Sequence, residues 1–148
     1  MAFRYSWQSL LRLRRSLEHQ EEQRLFARAS VVNRLRAEIA ALQQRDVALR
    51  RGALADLQEL TTGGQMHFRA RGDAAVARAL DALQFQLKNA EMLRLEQLKS
   101  YQLSRQRREI LKRLRDRQDE AYQREAARRQ QHSADEAFLA RQFGPGRE

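Results

Sequence analysis

The sequence predicts an all-α fold, a long two-helix antiparallel coiled-coil hairpin, and three observations carry that expectation. From Asp73 to Phe143 the chain contains neither Gly nor Pro. Apolar residues recur at alternating spacings of three and four on both sides of a glycine-rich middle. Strand-forming residues are scarce, with four Val, two Ile and two Thr in 148 residues. Inside a helix Gly costs about 1 kcal/mol and Pro about 3 kcal/mol, so a span free of both offers the backbone no evident place to turn. Such poverty in β-branched residues leaves little material for a sheet. A hydrophobic share of 42% against a charged share of 32% suits a narrow apolar seam better than a broad core.

The first arm is expected over about residues 5–60, with Ser6 as its N-cap. Phe3, Trp7, Leu10 and Leu17 fall on one helical stripe, which Arg14 and Glu21 interrupt. A second register follows, with Leu25, Val32, Ile39, Ala53 and Leu60 at one heptad position and Leu35, Leu42 and Leu49 at its partner. Asp46 is the charged exception. Passing from Leu17 to Leu25 adds one residue to the heptad, so the seam is expected to drift around the helix there.

The reversal is placed at about residues 61–72. Thr61-Thr62-Gly63-Gly64 opens it and Gly72 closes it in a left-handed conformation, with Met66 and Phe68 folding over the end of the seam. Asp73 then serves as N-cap of the second arm, over about residues 73–143. On this reading Arg71-Gly72-Asp73 is a turn and a cap rather than an adhesion tripeptide. Val76, Leu80, Leu83, Leu87 and Ala90 continue the seam, and Leu103, Ile110 and Leu114 resume it after the out-of-step Leu93, Leu95 and Leu98. Gly144-Pro145-Gly146 ends the arm, and a short C-terminal tail follows. The second arm alone would extend about 100 Å at about 1.5 Å per residue, so a single hairpin domain spanning 1–148 is expected to be a thin rod.

Function is bounded by what is missing. No phosphate-cradling glycine loop, paired catalytic carboxylates or nucleophile motif occurs, and a two-helix rod has no pocket, so no enzyme activity and no cofactor are expected. Neither His19 with Glu22 nor His132 with Glu136 provides a third ligand, so no metal site is expected. The chain has no Cys, which removes disulfides and thiolate ligation. Without a membrane-spanning apolar run or the apolar segment of a secretion signal, the expected location is cytoplasmic.

A net charge of +10 favours an acidic partner. The basic run from Arg105 to Arg129 is interleaved with Glu109, Asp116, Asp119, Glu120 and Glu125, the pattern of a solvated coiled-coil face. Only Tyr101 and Tyr122 are near it for base stacking, so no stable nucleic-acid partner is expected. A basic nucleic-acid-binding coiled coil and a generic homodimeric scaffold are the alternatives. A hairpin would also gather Phe3, Tyr5, Trp7, Phe138 and Phe143 at one end, as a docking surface.

Phe3-Arg4-Tyr5, then Leu10-Leu11-Arg12-Leu13-Arg14, a mid-chain glycine loop, and Leu114-Arg115-Asp116-Arg117-Gln118 ahead of Asp135-Glu136 together resemble the flagellar FliJ family over nearly the whole chain. The resemblance implies a non-catalytic stalk of the flagellar type III export apparatus. Such a stalk inserts its paired termini into the hexameric export ATPase, meets the export gate near its loop and binds export chaperones at the cytoplasmic face of the inner membrane. Carried onto this chain, the ATPase contacts would be Phe3, Arg4, Trp7, Asp135, Glu136, Phe138 and Arg141. The gate contacts would be Leu42, Leu49, Val76, Ala79 and Leu83.

Overall fold

A computed structural model describes residues 5–56 and 62–144, and within them the fold is an all-α helical hairpin. Helix α1 is Gln8–Asp56 and helix α2 is Gly63–Phe143, and no strand occurs among the described residues. The two helices pack against one another in two compact units. One unit combines the chain up to Glu18 with everything from Leu103 onward, and the other is His19–Gln102.

Helix α2 begins ten residues earlier than the expected arm start at Asp73, which shortens the reversal and corrects the loop placed at 61–72. Thr62 precedes the first helical residue, and its carbonyl accepts from the N–H groups of Gln65 (3.0 Å) and Met66 (3.3 Å). In return the Gln65 side-chain oxygen accepts the N–H of Thr62 at 3.3 Å. This is one half of a capping box of the form Thr-x-x-Gln, and it satisfies a donor that the start of a helix otherwise leaves free. Gly63 and Gly64 are therefore the first turn, and Gly72 and Asp73 lie inside the helix. No glycine among the described residues has a positive φ, so neither the left-handed Gly72 nor the Asp73 cap forms. Gly52 is likewise inside α1.

In the unit His19–Gln102 the seam is apolar at its centre. Val32, Leu35 and Ala90 are buried together, with Leu83 and Leu87 packed against them. Ile39 is also buried, and Leu25, Leu42, Val76 and Leu80 are half-buried. Arg36 donates to Glu91 at 2.7 Å across the pair. Toward the other end of this unit the seam turns polar. Gln97 donates to both the carboxylate and the backbone carbonyl of Glu21, and the buried Nε of Arg94 finds no hydrogen-bond partner among the described residues.

The second unit continues the polar character. Leu11 is fully buried and Tyr5 nearly so, with the Tyr5 hydroxyl donating to the carbonyl of Leu111 at 3.2 Å. Beside them Arg108 grips Glu18 in a two-pronged pair, Nε to Oε2 and Nη2 to Oε1 (3.2 Å), with both side chains less than a fifth exposed. Pairing of Tyr5 with Leu111 and of Glu18 with Arg108 sets the two chain directions antiparallel.

These contacts correct the expected register. Leu11, Glu18, Leu25, Val32 and Ile39 lie seven apart and each is at least half-buried, so α1 carries one register with no inserted residue. Arg14 and Glu21 do not interrupt the seam; they occupy it. Trp7 and Leu17, assigned to the stripe from their spacing, are exposed. On α2 the half-buried positions after Ala90 include, at alternating spacings of three and four, Arg94, Gln97, Tyr101, Ser104, Arg108, Leu111 and Arg115, whereas Leu103, Ile110 and Leu114 face solvent. The apolar pattern and the packing pattern coincide in the middle of the hairpin and separate toward the chain ends. Leu60 lies outside the described residues.

Candidate functional site

In the unit that holds the start of α1, α2 runs on past its partner. Tyr5 sits at the level of Leu111, and Phe138 lies 27 residues further along α2, about 40 Å away at about 1.5 Å per residue. Residues 127–144 are all exposed. This overhang holds its helical form through pairs one turn apart: Arg124 with Glu120, Arg128 and Arg129 with Glu125, and His132 with Glu136. Each such pair contributes about 0.2–0.5 kcal/mol to an isolated helix. Gln, Ala and Arg in the same stretch are good helix formers.

The proposed ATPase contacts are thereby divided. Asp135, Glu136, Phe138 and Arg141 all stand on the overhang and all are exposed. Trp7 is exposed but lies back at the start of α1, close to Tyr5 and its bond to Leu111. The gathering of terminal aromatics at one point is therefore corrected: Phe138 and Phe143 do not meet Tyr5 and Trp7. Phe3 and Arg4 lie outside the described residues. Spacing alone missed Leu139, exposed next to Phe138. The physical reason for the division is arm length, since α2 has 81 residues and α1 has 49.

Near the reversal, α1 and α2 part to leave a groove of about 410 Å³. Ala48, Gly52, Ala53 and Gly72 give it small walls, while Leu49, Phe68 and Val76 supply apolar surface. A Cβ added at Gly52 or Gly72 would meet nothing within 4 Å, so the backbones here are too far apart to interlock. Arg69 spans the gap with a hydrogen bond from its Nη1 to the carbonyl of Ala53 at 3.4 Å.

Of the proposed gate contacts, Leu49 and Val76 line this groove, Leu49 strongly exposed. Leu83 packs against the Val32, Leu35 and Ala90 cluster and belongs to the seam. Leu42 is half-buried in the same seam, and Ala79 is exposed outside the groove. Met66 and Phe68 do not fold over the seam end as expected; Phe68 is 80% exposed. A phenylalanine projecting from the first turns of α2 could have been flagged had the capping box at Thr62 been read.

Among the described residues no group of three or more His, Cys, Asp or Glu is placed to hold a metal ion. Among the same residues no helix is long and apolar enough to cross a membrane. The overhang is an exposed helix with aromatic and charged residues, and the groove is apolar beside a projecting aromatic.

Comparison with known proteins agrees in kind. No curated protein and no solved structure matches the chain. A family profile described as flagellar FliJ protein matches residues 3–148. The chain belongs to the flagellar FliJ protein family.

Proposed function

We propose that the chain is the non-catalytic stalk of the flagellar protein export apparatus, acting in the cytoplasm at the inner membrane. It engages the hexameric export ATPase through the overhang of α2 and promotes its assembly and activity. Its reversal end, with Leu49, Phe68 and Val76 around the groove, meets the export gate, and export chaperones are further partners. The observation that carries this reading is the family match over residues 3–148.

The overhang supports the ATPase assignment on physical grounds. A lone helix about 10–12 Å across enters a ring more easily than a helix pair, and its whole circumference is open to surrounding subunits. Phe138, Leu139 and Phe143 supply apolar anchors, and Asp135, Glu136 and Arg141 supply charges of both signs. Aromatic and Arg residues are those that dominate protein interfaces.

ATP hydrolysis by the cognate export ATPase, followed across a titration with the full chain while hexamers are counted, tests the reading. Hydrolysis and hexamer number are expected to rise together. No stimulation and no binding, with both proteins folded, would overturn it.

A further inference from the structure

The unit formed by the chain ends hides polar residues in its seam and leaves leucines outside it. Leu10, Leu13 and Leu17 of α1 and Leu103, Ile110 and Leu114 of α2 are each the residue immediately before a seam position: Leu11, Arg14, Glu18, Ser104, Leu111 and Arg115. In an antiparallel pair, reversing the second helix and turning its seam toward the first cancel. Positions preceding the seam on the two helices therefore flank the same side of the pair. Tyr5 bonded to Leu111 and Glu18 to Arg108 bracket this stretch, so the stripe of Leu10, Leu13 and Leu17 runs alongside that of Leu103, Ile110 and Leu114. Five of the six are exposed and Leu10 is half-buried, so the two stripes form one apolar face.

The charges around this face have one sign. Arg107, Arg113 and Arg117 each stand one helical turn from Ile110 or Leu114, and none has an ion-pair partner among the described residues. By contrast Arg105, Arg108 and Arg115 pair with Glu109, Glu18 and Asp116. Glu109 and Asp116 follow seam residues rather than precede them, which places both on the opposite side. The face thus combines an aliphatic centre with uncompensated guanidinium groups.

We infer that this face is a docking site for an acidic amphipathic helix of another protein, laid in the groove between the two helices as a third strand of the bundle. Ridges of aliphatic side chains on two neighbouring helices accept a third helix, and unpaired arginines select one flanked by carboxylates. A second copy of the chain is disfavoured because it would bring the same arginines together on molecules of net charge +10. Nucleic acid would use the arginines and leave the leucines uncovered. This site is distinct from the overhang and the reversal groove, and does not depend on the ATPase reading.

The probe is a synthetic amphipathic helix of about 20 residues, roughly 30 Å long, with a leucine stripe flanked by Glu. Its Lys-flanked counterpart, duplex DNA and phosphatidylglycerol vesicles are the comparisons, all titrated onto the full chain. The acidic peptide is expected to bind, to lose at least tenfold in affinity on the Ile110→Ser/Leu114→Ser variant, and to yield to the Lys-flanked peptide on the Arg107→Glu variant. Circular dichroism checks helicity, and should the serine variant lose it, the Arg107→Glu exchange of preference decides alone. The inference is overturned by failure of the acidic peptide to bind or by unchanged affinity on the variants. Tighter binding of DNA or vesicles, or a dimer mass that the serine variant abolishes, also overturns it.

Discussion

Leu11 and Leu17 are the same residue six positions apart on one helix, yet Leu11 is 0% exposed and Leu17 is 36% exposed. Truncating a buried leucine removes its transfer free energy and leaves a cavity. Leu11→Ala is expected to cost about 2–3 kcal/mol in urea unfolding. Leu103→Ala is expected to stay within about 0.5 kcal/mol, as for other exposed positions. Equal losses would contradict the register described. Glu18 and Arg108 give a second test. Glu18→Ala removes the two-pronged acceptor of a largely buried guanidinium and should cost about 1–3 kcal/mol, whereas the double change to Leu at both positions should recover most of that loss. A double variant as unstable as the single would show that the pair is needed for more than mutual neutralisation. These residues also mark where the sequence misled. Spacing identifies an apolar stripe only if apolar residues are the ones buried, and here Glu18 with Arg108 and Glu21 with Gln97 fill the seam by pairing across it, with Arg14 half-buried beside them. The central register from Leu25 to Leu42 and from Val76 to Ala90 was legible because there hydrophobicity and packing agree.

At the scale of the element, the start of α2 rests on local chemistry. The Gln65 side chain caps the N–H of Thr62, and Gln65→Ala is expected to lower stability by about 0.5–1 kcal/mol. Gly72 gives a sharper discrimination. It is helical, has no positive φ, and an added Cβ would meet nothing within 4 Å. Gly72→Ala should therefore raise the thermal midpoint, stabilising by up to about 1 kcal/mol. If Gly72 instead closed a turn in a left-handed conformation, the same change would destabilise the chain. Glycine was taken as a breaker because it lowers helix propensity, but the cap at Thr62 and the long helical stretch behind it outweigh that cost. The end of α2 at Phe143, ahead of Gly144, carries no such competition.

For the molecule as a whole, unequal arms matter more than charge. A chain whose second helix is longer than its first by some thirty residues must leave one end of α2 without a partner unless the excess lies at the reversal. The arm lengths were in the sequence, but their consequence was partly hidden because the second arm was started ten residues too late, at Asp73 rather than Gly63, which about halved its excess over the first. The proposed ATPase contacts follow the corrected geometry: four stand on the overhang, and Trp7 stands apart from them. The central claim is that the protruding end of α2, and not a pair of joined termini, acts on the export ATPase. The most direct test is stimulation of ATP hydrolysis by three forms of the full chain: unaltered, Phe138→Ser/Arg141→Ala, and Trp7→Ser. The overhang variant is expected to lose most of the stimulation, while the Trp7 variant keeps it. Full stimulation by the overhang variant would contradict the claim, and equal loss in both variants would restore the joined-termini arrangement.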